Sequence, residues 1–278
     1  MLWERRRILI WGKTRPELSK SHREIVCTGG VFSDTRRLCR LYPIPLRYMD
    51  DERIFKKYQW IEADVARAVQ DARPESYRIN SESIAIGTTV PSRRGNWDER
   101  AEWVLNEENI FGSVEALQER WRNDYTSLGL VKPNSISKIW HERVGDAERH
   151  DYSKRWDKLT KQFDLPIDPE SGRKILPLRA AEYRFKIRFH CSDPSCQRGH
   201  DFSVLDWDID ALYFKQKSAR GAHIARQKVV EKLRDEVCAD DKDLYFFLGN
   251  IATHPHVFTI VGFWWPKKKE AKLQMALF

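Results

Sequence analysis

Residues 182–209, EYRFKIRFHCSDPSCQRGHDFSVLDWDI, constrain the fold more tightly than any other stretch of the chain. Tyr183, Phe185, Ile187 and Phe189 alternate there with Arg184, Lys186, Arg188 and His190. Successive side chains of a strand point to opposite faces. This period of two therefore puts an apolar row on one face and a cationic row on the other. Asp193-Pro194-Ser195 is rich in turn formers, and Phe202 to Leu205 reads as the return strand. The stretch is expected to be a β-hairpin with Phe185 in a core and the cations pointing away from it.

Cys191, Cys196 and His200 flank the turn of this hairpin. Thiolate and imidazole are the donors zinc prefers, and short spacings at a turn let one loop supply several of them. The three are expected to bind zinc in a structural role, and a closed site needs a fourth donor. His190, Cys238, His254 and His256 are the candidates, and spacing does not choose among them. The full CxxC…CxxC pattern is absent. The chain has five cysteines, Cys27, Cys39, Cys191, Cys196 and Cys238. An odd set in a chain without a secretory leader points to reduced thiols and metal ligation and away from a disulfide framework.

Three like charges on one strand face repel, and a polyanion would relieve that repulsion by replacing their counterions. Arg184, Lys186 and Arg188 are accordingly expected to contact DNA or RNA. The competing reading is that Asp201, Asp206 and Asp208 neutralise them within the chain. A second basic group, Arg36, Arg37, Arg40 and Arg47, surrounds Leu41-Tyr42-Pro43-Ile44-Pro45. Cations interleaved with rings on a small barrel suit a single strand, so Arg40 and Arg47 join the expected nucleic-acid contacts. The 49 basic and 41 acidic residues leave a charge of +8, which fits such a partner without requiring one. Eleven tryptophans also admit a protein partner.

Short apolar runs separated by turn signals fill residues 1–92, including RRILIWGKT, REIVCTGGVF, RRLCRLYPIPLRY, SYRIN and SIAIG. They predict a small β-barrel-like domain, and QWIEADVARAVQ at 59–70, whose apolar spacing suits either an amphipathic helix or an irregular strand, is read as a further strand. VPSRRGNWDER at 90–100 marks a boundary, after which Asn96 or Asp98 caps one helix and Ser113 begins another over 113–126. Residues 93–180 form a helical and irregular connecting region, with a loop at 168–174. Residues 181–278 add helices over 207–217 and 222–238 and the strands DLYFFLGN and VFTIVGFWW. The order β-β-α-α-β-β predicts an α+β domain, an antiparallel sheet with helices on one face.

No GxxxxGK[ST], GxGxxG or GxSxG motif occurs. Apolar runs are too short to span a membrane, and the start, MLWERRRILIW, lacks a leader's long apolar region, so a cytoplasmic protein is expected. The sequence thus reads as a nucleic-acid-binding protein with a structural zinc site. The alternatives are a metal-dependent nuclease or phosphohydrolase using the carboxylates around 201–208, and a non-enzymatic subunit of a larger assembly.

Overall fold

The computed structural model describes residues 2–19, 23–92, 95–162, 179–194, 196–251 and 254–269. Arg93 and Arg94 of the boundary stretch, the 168–174 loop and Ser195 lie outside the described residues.

Seven strands fill the first part of the chain: β1 (Glu4–Lys13), β2 (Glu17–Ser19), β3 (Arg23–Phe32), β4 (Leu38–Ile44), β5 (Gln59–Arg67), β6 (Ser76–Ile79) and β7 (Ala85–Thr89). β1 pairs antiparallel with β3, β3 with β4, and β5 with β6, whereas β4 and β6 run parallel. β5 returns to pair with β1 and closes a five-stranded barrel. β2 adds to β3, and β7 lines the first half of β5. The barrel-like domain expected for the N-terminal region is therefore closed.

β1 reads as an unbroken apolar run because both of its faces are covered. Ile8 and Ile10 join Phe32, Leu41, Phe55, Ile61 and Val65 inside the barrel. Leu9 and Trp11 point outward and pack with Leu128, Leu130, Phe247, Val261 and Trp264 from the second half of the chain. Opposite Gly29-Gly30 the β1–β3 register shifts, between Ile10 and Gly12, which makes a β-bulge.

The second half contains α1 (Asp98–Val104), β8 (Ile110–Phe111), α2 (Val114–Asp124), β9 (Leu128–Val131), β10 (Ser135–Arg143) and α3 (Asp146–Gln162). β11 (Tyr183–His190), β12 (His200–Ser203), α4 (Trp207–Glu231), β13 (Tyr245–Ile251) and β14 (His254–Trp264) follow. The Asn96 side chain accepts from the Asp98 N–H at 2.7 Å at the start of α1. Ser113 caps α2 by accepting from the Ala116 N–H at 3.0 Å. The two helices expected over 207–238 follow one another directly and are separated at Gly221, whose φ of 80° and ψ of 164° are not helical.

The single antiparallel sheet expected for the C-terminal region is replaced by two sheets. One has the order β10-β11-β12, and the other has the order β14-β13-β9-β8 with β8 and β9 parallel. The two meet at a bridge between Val204 and Ile260. The hairpin takes its outer partner from β10, in the stretch read as connecting region, and β13 takes β9 from the same stretch. Both pairings join segments far apart in the chain, and local alternation carries no trace of such partners.

Phe185, Ile187 and Phe189 lie at 1, 0 and 0% exposure, while Arg184 and Arg188 are exposed. The core around them takes Val114 and Leu117 from α2, Ile209, Tyr213 and Val229 from α4, and Phe246 and Ile260 from the other sheet. Truncating Phe185 to Ala is expected to cost about 3–5 kcal/mol. Urea unfolding would measure it, and a loss below about 1 kcal/mol would mean that the ring is not packed as described.

Candidate metal centre

The alternation that buries Phe185, Ile187 and Phe189 continues one step past the end of β11, which puts Cys191 on the same face, buried at 4% exposure. The turn then folds back, with the Cys196 N–H donating to the Asp193 carbonyl at 3.0 Å. Gly199 follows at φ 70°, where a Cβ would lie 2.8 Å from the Phe189 carbonyl and 3.1 Å from the His190 ring. Only glycine fits that turn without displacing the strand. It delivers His200 opposite Phe189 in the β11–β12 ladder.

The fourth donor is Glu115, from the first turn of α2. The donor atoms of Glu115, Cys191, Cys196 and His200 all lie within 4.8 Å of one another. His200 Nε2 is 3.4 Å from Cys191 Sγ, 3.1 Å from Cys196 Sγ and 3.2 Å from Glu115 Oε1. Cys191 Sγ is 3.0 Å from Glu115 Oε2. A ring nitrogen carries one proton or one lone pair, so it can serve one such neighbour well, and three converge on it. A tetrahedral ion with bonds of about 2.0–2.3 Å would space its donors by about 3.3–3.8 Å, close to this arrangement. The cluster can hold a metal ion.

Burial pushes the Cys191 thiol up to about 11, helped by its hydrogen bond to Glu115. Burial also holds the His200 imidazole below its ordinary value, which keeps it neutral, the form that ligates. An ion must displace thiol protons, so lowering the pH makes protons compete with it. The apparent metal affinity is expected to fall about tenfold or more per pH unit between pH 8 and 6. Competition against a chromophoric chelator reads this directly, and a flat profile would exclude thiolate ligation.

None of the four residues expected as fourth donor joins the cluster. His190 lies at the end of β11, its Nδ1 3.5 Å from Ser135 Oγ. Cys238 closes the wide helical turn after α4, where burial pushes its thiol up to about 12. His254 and His256 are exposed on β14. Glu115 gives no signal of its own in the sequence, because an acidic residue just inside a Ser-capped helix already has a local reason, the positive helix end. The docking of α2 on the hairpin, where Ser113 Oγ lies 3.4 Å from Asp193 Oδ2, has no local sequence signal either.

The cationic residues have partners of their own. Arg40 is 6% exposed, its Nη2 donating to the Ser127 carbonyl at 3.0 Å and its Nε lying 3.4 Å from Glu75 Oε1. It is spent on joining the barrel to the second half and is out of reach of an external phosphate. Arg47 pairs with the buried Glu24 at 3.0 Å. Arg184 pairs with Glu148 at 2.6 Å, Lys186 with Glu142 at 2.8 Å and Arg188 with Asp201 at 2.5 Å. Of the three acids expected to neutralise this row, Asp201 alone does so. Asp206 caps α4 and, with Asp208, binds Lys57 at 2.9 and 2.7 Å. No helix among the described residues is long and apolar enough to cross a membrane.

A family described as a domain of unknown function (DUF8757) matches residues 110–278, well over half of the chain. The chain belongs to this family. All four members of the metal cluster fall within the DUF8757 segment. A second domain of unknown function (DUF8758) matches residues 4–106, which contain the barrel. No curated protein matches the chain.

Proposed function

We propose that this DUF8757 protein is a nucleic-acid-binding protein built around a structural zinc centre. The observation that carries the metal half is the convergence of two sulfurs and a carboxylate oxygen on His200 Nε2. Two thiolates, an imidazole and a carboxylate suit zinc, whereas calcium and magnesium take oxygen donors alone. Glu115 comes from α2 and the other three donors from the hairpin, so the ion staples two elements 76 residues apart in sequence. Four protein donors leave no open position for substrate, which favours a structural role.

The nucleic-acid half rests on the charge of +8 and on the cationic face of β11. The barrel lends less support than its architecture suggests. Its five strands, with β4 and β6 parallel, share the plan of oligonucleotide-binding OB barrels. The outer side of β1 and β4, through Leu9, Trp11, Leu38 and Arg40, is packed against the chain's own second half. The nuclease alternative has weaker support, because Asp206 and Asp208 converge on the Lys57 ammonium and Asp201 is engaged by Arg188.

Two measurements test the proposal. Protein purified without chelators should contain one zinc per chain by elemental analysis. Fluorescence anisotropy with labelled oligonucleotides should show binding that weakens steeply with salt. Zinc-free protein that takes up no zinc would refute the first half, and no binding at low salt the second.

A further inference from the structure

The outward side of the β10–β11–β12 sheet carries, besides its three ion-paired cations, a further lysine, Lys138, and an aromatic ring, Trp140. Register places Lys138 beside Arg188 and Asp201, Trp140 beside Lys186 and Ser203, and Glu142 beside Arg184. No aliphatic side chain stands in this grid. The opposite face carries Ile139, Ile187 and Phe202, so the sheet has an unambiguous inside and outside. Trp140 is on the outside, half-buried by its neighbours instead of by the core. Lys138 Nζ, Lys186 Nζ and the Arg188 guanidinium lie 5.2, 5.9 and 6.0 Å from its ring centroid.

We propose that this face binds single-stranded nucleic acid, with Trp140 as the ring on which a base stacks and Lys138, Arg184, Lys186 and Arg188 as the contacts to phosphate. This rests on the nucleic-acid reading above and gives it a place. A single indole among cations is the arrangement single-strand binders use: the ring accepts any base and the charges follow the backbone. Protein interfaces are depleted in lysine, glutamate and aspartate, and Lys138, Lys186, Glu142 and Asp201 crowd this grid. The three carboxylates on or beside the face do not forbid this. Arg184 and Arg188 side chains remain 47 and 44% exposed, and surface pairs of this kind are weak enough for a phosphate to displace.

The test uses the full chain with its metal, a labelled oligo-dT and oligo-U, and a duplex of the same length. Wild type should bind the single strands with a salt-dependent affinity and prefer them to the duplex. Trp140→Ala should weaken single-strand binding about 5- to 150-fold, the range for losing one stacked base. Trp140→Phe, which keeps a ring, should recover part of it. Lys138→Ala with Arg188→Ala should flatten the plot of log K against log salt by about 1.4, roughly 0.7 for each phosphate no longer neutralised. Unchanged metal content and circular dichroism certify that the variants are folded. Wild type that binds no oligonucleotide at low salt overturns this proposal and the nucleic-acid reading together. Binding that Trp140→Ala leaves intact overturns the surface alone, as does preference for the duplex. Equal binding of polyglutamate, insensitive to Trp140, would mean a polyanion site without base stacking and would overturn it too.

Discussion

Replacing Cys191 and Cys196 together by Ser is expected to strip the metal from the chain and lower its thermal midpoint by about 8–16 °C. The size follows from linkage. An ion present at about 1,000 times its dissociation constant stabilises the state it binds by about 4 kcal/mol, and in a domain of this size each kcal/mol is worth about 2–4 °C. Zinc-finger peptides gain more, about 10–16 kcal/mol, because nothing else folds them. Here Phe185, Phe189, Phe246 and Leu248 already form a core beside the site, so only part of the fold would depend on a bound ion. Glu115→Gln should act in the same direction but less strongly, since it keeps both thiolates and His200. Cys238→Ser should leave the metal content at wild-type level, because that thiol is outside the cluster. Scanning calorimetry with parallel elemental analysis reads all three. A double-serine chain that keeps its metal and its midpoint would remove the sulfurs from the site.

What the sequence discloses about this centre and what it conceals divide along a physical line. Cys191, Cys196 and His200 are nine residues apart at most, and one turn with a left-handed glycine gathers them, so spacing suffices. Glu115 arrives through tertiary docking of a helix, and its position in that helix already has a local explanation. The same line runs through the fold. The face of Phe185 is legible because alternation is local, whereas the apolar spacing of 59–70 suits helix and irregular strand alike, and pairing with β1 and β6 makes it a strand. β10 is not, because Ser135, Ser137 and Lys138 interrupt its apolar positions around a register shift, and α3 is not because its long polar sequence presents only a weak stripe. Arg40 shows the opposite failure. An arginine amid Leu38, Cys39 and Leu41 reads as belonging to a wet face, whereas the outside of that barrel strand is covered by Ser127 and Gly249.

Gly29→Ala is expected to destabilise the chain by about 3 kcal/mol or more, a large effect for one methyl group. The backbone permits alanine there, since Gly29 is not among the residues with positive φ. The obstacle is Trp11, the extra residue of the β1 bulge, whose indole lies across Gly29 so closely that a Cβ would sit 2.1 Å from a ring carbon. The ring has no easy retreat. Its N–H donates to the Gly30 carbonyl at 3.0 Å, its face stacks on Phe247 at 3.9 Å and 1° between planes, and Gly262 crowds its other edge. The methyl group must therefore break the packing that joins the barrel to the β13–β14 sheet. Trp11→Ala breaks it from the other side, at about 3–5 kcal/mol. The decisive measurement is the double variant. With the indole gone the clash disappears, so Gly29→Ala in the Trp11→Ala background should cost less than about 1 kcal/mol, a coupling of about 2 kcal/mol or more between the two sites. Additive costs would show that the methyl group at Gly29 meets an obstacle other than the indole.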